Sequence, residues 1–409
     1  LQNKTFRLHA TGNFRNLMIA TAKDPAMLYF LDAGQNVKGA PNENFAREIM
    51  ELFTLGVGNY EEEDIREAAR AFTGWNTNDL EFIVNYDQHD AGLKTILNKT
   101  GNFSGEDVID ILLSEDAASK FIVKKLYKEF VNEEINNSII NKYAKILKTN
   151  NYELKPLLSA IFLSKDFYSD QNRGSHIKSP VEMVISTYKK LGLKSTPGIP
   201  DFNQSTTDMG QTLFWPPTVA GWAGGRSWIT PALLMERGNF SRSFLYPNID
   251  FIDKDFYSPD PKIIVMHKSI RNGADITSAT KSSNGGDTMM MAESDIITDR
   301  DKDFKTLYGS YKGWQMAVSK VKPIIRDTAN INFTAMIINS GAKDTSEAVD
   351  YLLSRFLIVN IDKKMRNLII DFLNNHLGTN NIIDAETYLE DPLRLVVHLI
   401  LSQPEYQLG

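Results

Sequence analysis

The spacing of apolar residues between sharp stop signals constrains this chain more than any other feature. Asn42 is placed to cap a helix whose Phe45, Ile49, Leu52 and Phe53 fall on one face, and Gly56 ends it. A second helix is expected over 61–72, with Ile65, Ala68, Ala69 and Phe72 on its buried side and Gly74 as its stop. So short a connection makes the two an antiparallel hairpin. Ser104 opens a further helix, and Ser179-Pro180-Val181-Glu182 reads as a capping box with proline at the first helical position. Asp344 through Glu347 is a similar start, and Gly378 a similar stop. Strand-like alternation is scarce. The expectation is an all-α fold, a multi-helix array of helical hairpins.

A faint echo runs inside the pattern. Leu126, Phe130, Ile135, Ile139, Tyr143, Ile146 and Leu147 share their spacing with Leu352, Phe356, Ile361, Met365, Ile369, Phe372 and Leu373. Each set is followed by a similar word, LLSAIFLSKDFY from Leu157 and LVVHLILSQPEY from Leu395. An internally duplicated three-helix unit would explain this, and so would the loose match that any two amphipathic helices share. Between the two sets, residues from about Ser241 to Asp303 carry little periodicity. The expected organisation is a helical core over 1–240 holding an Arg/Glu hairpin and a tryptophan-rich loop, an irregular insertion or exposed loop over 241–303, and a C-terminal helical part over 304–409 packing on the first.

Composition enters mainly by exclusion. The 409 residues contain no cysteine, which removes disulfides, thiolate metal sites and cysteine nucleophiles. The formal charge is −6 with Lys and Arg scattered, so no basic stripe for nucleic acid is present. No apolar run approaches the ~18–20 residues of a membrane span. There is no phosphate loop, dinucleotide fingerprint or G-x-S-x-G elbow. The acidic run Asp295–Asp303 lacks the ligand order of a calcium loop, and Met289–Met291 lack the spaced partners of a copper site. Neither a cofactor nor a metal is specified.

Three constellations could carry chemistry. Asn44, Glu48, Glu51 and Leu55 line one stripe at helical spacing, with Glu48 at the edge of the apolar face. A carboxylate drawn out of water there holds a raised pKa unless a cation answers it. Glu48 and Glu51 could serve as an acid/base pair or as oxygen ligands for a metal. Alternatively they belong to a structural ion-pair network, with Arg47 reaching Glu51 along the helix and Arg66 or Arg70 reaching across the hairpin. His89 and Asp90 lie in a polar, irregular segment after Trp75, where an imidazole beside a carboxylate could act as a base or a ligand. The alternative is a hydrogen-bonded structural histidine; six histidines without HExxH spacing give zinc little support. The third is Phe214 through Trp228, which holds three of the five tryptophans. Trp215, Trp222 and Trp228 with Arg226 could stack on sugar rings or another planar ligand. The competing reading is an aromatic plug sealing the space between helices.

Several words of the chain resemble the DUF1800 family of bacterial proteins: Asn42 through Gly56, Glu67 through Trp75, His89 through Lys94, Lys178 through Glu182, Pro216 through Trp222, and Ser402 through Tyr406. The family is named for its unknown function. The resemblance implies an exported protein, periplasmic, cell-surface or secreted, and family members are often encoded beside a sulfatase-like partner family. Members typically carry an upstream aromatic and histidine-rich word resembling FWHNHF, which does not precede Leu1. A trimmed or processed chain is therefore expected, with upstream histidines that could complete a metal site. Two functional classes follow. One is a binding or scaffold protein of the envelope contacting a glycan or protein partner. The other is a hydrolase or lyase acting on an extracellular polymer through Glu48, Glu51, His89 and Asp90.

Overall fold

A computed structural model describes residues 1–247 and 327–409, and these are mostly helical, an all-α protein with two short antiparallel ribbons. They form two compact units, Leu1–His176 and Ile177–Gly409. The Arg/Glu hairpin falls in the first and the tryptophan-rich loop in the second. The helix Pro231–Leu245 runs into the first residues of the expected 241–303 insertion. The rest of that insertion, with Met289–Met291 and Asp295–Asp303, lies outside the described residues, as does 304–326.

In the first unit, helix Asn44–Glu48 continues without a break into a π-helical segment, Ile49–Thr54. Helix Glu62–Phe72 follows, opened by a capping box between Glu61 and Asp64. The two run antiparallel: Glu43 faces Arg66 at 3.8 Å while Arg47 bonds Glu62 at 2.7 Å, so pairing order reverses along them. Phe45, Ile49, Ile65 and Phe72 are buried between them. Ring edges meet ring faces from Phe45 to Phe72 (5.1 Å), Phe72 to Trp75 (5.0 Å) and Trp75 to Phe82 (5.0 Å), an arrangement that aromatic quadrupoles favour. Gly74 adopts φ +79°, and a Cβ there would overlap the Asn85 carbonyl oxygen. Only glycine lets the chain turn from the helix into the ribbon Trp75–Asn78/Glu81–Val84 while the next loop packs against it. A second ribbon pairs Lys94–Ile96 with Lys99–Gly101.

In the second unit, helices Pro180–Lys190, Pro231–Leu245, Thr345–Phe356, Lys363–Leu377 and Glu390–Leu401 enclose a core that includes Met183, Phe240, Phe244, Phe356, Val397 and Tyr406. Ser179 caps the first of these with Glu182, Asp344 caps the third, and Gly378 ends the fourth at φ +68°. The echo noted in the sequence falls on two helical triples. One is Asp116–Phe130, Asn137–Thr149 and Leu154–Phe162; the other is Thr345–Phe356, Lys363–Leu377 and Glu390–Leu401. Tyr143 and Leu147 are buried as Ile369 and Leu373 are. The triples differ before the third helix, which follows directly in the first and after a longer turn containing Glu386–Tyr388 in the second. Among the described residues, no helix is long and apolar enough to cross a membrane.

Candidate functional site

The π-helical segment changes the stripe expected from helical spacing. The Leu55 amide reaches back five residues to the Met50 carbonyl at 2.8 Å, and the Thr54 hydroxyl donates to the Ile49 carbonyl at 2.7 Å. Widening the helix between Glu48 and Leu55 breaks the simple three-and-four register; such segments are frequent at functional sites. Glu51 accepts from the Tyr60 hydroxyl at 2.7 Å, and burial first, then that bond, pushes the Tyr60 pKa up to about 12. Glu48 is half-buried and has no hydrogen-bond or ion-pair partner among the described residues. Desolvation, aided by the Glu51 charge and opposed by Arg47, raises its pKa.

The arginines distribute differently from the expected pattern. Arg47 does not turn to Glu51. It bonds Glu43 at 3.1 Å and Glu62 at 3.0 and 2.7 Å, because helical side chains lean toward the N-terminus and so meet the preceding turn. Arg66 bonds Glu63 at 2.7 Å and faces Glu43 across the hairpin. Arg70 turns away from the Asn44–Glu48 helix. It bonds Glu67 at 2.8 and 2.9 Å, Asp90 at 2.8 Å and the Leu93 carbonyl at 3.1 Å.

Asp90 is held tightly. Besides Arg70, it accepts from the Gly92 amide at 2.8 Å, and its own amide donates to the Thr73 hydroxyl at 2.8 Å. The Arg70 hydrogen bond is the main cause of a carboxyl pKa near the bottom of its range, at about 2. Such a group accepts no proton near neutrality, so it suits fixing Arg70 better than acid/base work. Buried Lys94 donates to the Gly92 carbonyl at 3.0 Å, and desolvation lowers its pKa. His89 Nδ1 lies 2.9 Å from the Thr73 carbonyl oxygen. A carbonyl only accepts, so Nδ1 carries hydrogen and the neutral ring keeps Nε2 as its acceptor. No set of three or more His, Asp or Glu side chains among the described residues could hold a metal ion.

In the second unit the tryptophan loop is divided by depth. Phe214 is 95% exposed and Trp215 79%, whereas Trp228 is 6% exposed and Trp222 half-buried. Phe214 also sits at φ +62°, a region that bulky residues rarely adopt, so the backbone carries strain where it presents this ring. Arg226 is exposed and without a hydrogen-bond or ion-pair partner among the described residues. Beneath the loop, Arg237 is 1% exposed and donates to the Trp228 carbonyl (3.0 Å), Gln407 Oε1 (3.0 Å), Met183 Sδ (3.4 Å) and the Lys178 carbonyl (2.7 Å). Lys178, 4% exposed, donates to the Tyr406 carbonyl at 2.6 Å and lies 4.3 Å from the Tyr406 ring centroid. Burial, reinforced by Lys190 and Arg237, pulls the Lys178 pKa down to about 7; burial likewise lowers Arg237 to about 10.

The words that first suggested a family thus gather in two places. Asn42–Gly56, Glu67–Trp75 and His89–Lys94 meet in the first unit, while Lys178–Glu182, the tryptophan loop and Ser402–Tyr406 meet in the second. A family model described as a protein of unknown function, DUF1800, matches residues 1–408. The chain belongs to the DUF1800 family. No curated protein and no solved structure matches it. Within this DUF1800 chain, sequence reasoning passed over Lys178, Arg237 and Gln407. Lys178 and Tyr406 stood in family words without a role, and Arg237 was one of three charged residues on its helix, with Glu236 and Arg242, and nothing in the spacing marked it as the buried one. Arg237 lies 59 residues from Lys178 and 170 from Gln407, distances that no spacing rule spans.

Proposed function

We propose that this DUF1800 chain is a binding or scaffold protein of the cell envelope or extracellular space, and that its 214–228 loop docks a glycan. The observation that carries the reading is the depth profile of the loop: Phe214 and Trp215 stand in water while Trp228 and Arg237 anchor their base. A singly exposed ring such as Tyr86 is ordinary, whereas two adjacent exposed rings form an apolar patch, the feature that marks interaction sites. Flat rings with two torsions lose little entropy on contact, and their faces suit the C–H faces of sugars. Envelope or extracellular placement rests on the resemblance alone. The test is binding of immobilised polysaccharides by wild type and Trp215→Ala. Loss of retention with an unchanged melting temperature supports the reading. Retention unaffected by Trp215→Ala, or binding to a protein partner alone, sinks it.

A second reading draws on Glu48. A half-buried carboxylate with a raised pKa, no partner among the described residues and a place at the start of a π-helical segment has the character of a general acid. It would make the protein a hydrolase or lyase of an extracellular polymer, with Glu51 beside it; His89 is bonded at Thr73, the opposite end of the Glu62–Phe72 helix from the Arg47–Glu62 pair. Glu48→Gln then abolishes polymer cleavage without unfolding the hairpin.

A further inference from the structure

We propose that the ligand of the tryptophan loop is an acidic polysaccharide, one whose sugar units carry carboxylates. The inference rests on the glycan-binding reading above and adds the charge of the ligand. Three observations carry it.

From 209 to 235 the chain holds a single charged side chain, Arg226, in a protein whose net charge is −6. Arg226 is exposed and has no hydrogen-bond or ion-pair partner among the described residues, so its charge is available in the same loop, eleven residues after Trp215. Buried Arg237, bonded to the Trp228 carbonyl, adds a second positive charge to the loop. Buried cations are normally answered by carboxylates. Arg237 instead donates only to neutral acceptors, two main-chain carbonyls, a thioether and an amide oxygen. Lys178 donates to a carbonyl and lies against a ring. Glu182 is the acidic group that acts on both, and Lys190 adds a further positive charge beside Lys178.

A buried charge is screened less than a surface one, so its field reaches the water above it. An anion over this loop would meet Arg226 directly and the field of buried Arg237. The aromatic pair selects a sugar over a bare polyanion, because stacking needs a flat apolar face that a simple acidic chain lacks. Phe214 and Trp215 thus give affinity for the ring, and Arg226 gives selectivity for its carboxylate.

The experiment compares polygalacturonate, a neutral glucan of similar length and polyglutamate, each titrated into wild type, Trp215→Ala and Arg226→Glu. Both substituted side chains are exposed, and melting temperatures confirm that the variants fold. Wild type is expected to bind polygalacturonate about tenfold or more tightly than the glucan, the worth of one charge-assisted contact. Arg226→Glu is expected to remove that preference, leaving glucan binding unchanged, and Trp215→Ala to weaken both sugars. Equal binding of both sugars, indifferent to Arg226→Glu, overturns the acidic ligand and leaves the glycan reading intact. Polyglutamate binding as strong as polygalacturonate and indifferent to Trp215→Ala overturns it too, since charge alone then suffices. Binding of neither sugar removes both readings together.

Discussion

The Arg237 guanidinium donates to the main-chain oxygen of Trp228 at 3.0 Å, joining a buried cation to the buried end of the aromatic loop. The bond ties down the C-terminal end of a loop rich in glycine and proline whose other end presents Phe214 and Trp215 to water. The indole of Trp228 fills space within the unit, and Arg237 fixes the backbone that carries it.

The two ends of the loop should therefore respond oppositely to truncation. Trp228→Ala empties a buried site and is expected to cost about 3–5 kcal/mol. Trp215→Ala removes a ring already in water and should stay within about 0.5 kcal/mol of wild type. Urea unfolding followed by circular dichroism measures both. A large loss for Trp215→Ala would show that this ring is packed rather than presented.

Lys178 gives the second unit a particular pH dependence. Its pKa falls from the ordinary 10.5 to about 7 in the folded state, so between those values the unfolded chain binds more protons. Stability then rises with pH across that window, and the penalty for burying the charge is complete only below about pH 7. Lys178→Met removes the proton and should flatten the rise between pH 7 and 9.5. Melting temperatures across that range decide it: a variant as pH-dependent as wild type would place the titration on another group.

Asp90 behaves in the reverse sense. Its pKa drops from 3.8 to about 2 because Arg70 stabilises the carboxylate. The group contributes stability above about pH 4, and that contribution disappears as pH falls through about 2. Asp90→Asn is expected to cost roughly 2 kcal/mol at pH 7 and close to nothing at pH 2. A constant difference between wild type and variant at both pH values would mean that packing, not charge, holds the loop.

Gly74 tests the turn between hairpin and ribbon. Alanine there must adopt a left-handed φ and press its Cβ on the Asn85 carbonyl and, at 3.2 Å, on the His89 amide. Gly74→Ala should destabilise by about 1–3 kcal/mol and shift the His89 ring resonances in NMR. An unmoved His89 would separate the turn from the histidine loop.

Much of this molecule was legible where the cause is local. Ser104 with Asp107, and Ser179 with Glu182, close their capping boxes within three residues, so the words themselves specify the helix starts. Gly74 and Gly378 mark ends because a left-handed turn needs no distant partner. The π-helical step after Glu48 was not legible, since five-residue hydrogen bonds leave no distinct apolar period. Arg47 could meet Glu43 or Glu51 on spacing alone, and the direction of its side chain decided between them, while Glu62 reaches it only across the hairpin. The cluster of Lys178, Arg237 and Gln407 depended on the chain returning across the unit. Trp215 and Trp228 could not be told apart by sequence because depth is a property of packing.

Glu48 offers the sharpest separation between an ion-pair member and a working acid. Removing one member of a hydrogen-bonded pair strands the other and destabilises, as is expected for Asp90. Glu48 has no such partner among the described residues, and burial raises its pKa, so at neutral pH its charge opposes folding. The sign follows: a folded-state pKa above the ordinary 4.5 means that folding favours the protonated form, and stability falls as pH rises through that pKa. Glu48→Gln mimics the protonated group. It should leave the melting temperature unchanged or raise it at pH 7, with the gain vanishing below about pH 4. A loss of stability at pH 7 would instead reveal a structural partner for Glu48 and withdraw the acid/base reading, while a stable variant that no longer cleaves an extracellular polymer would favour it over the binding protein.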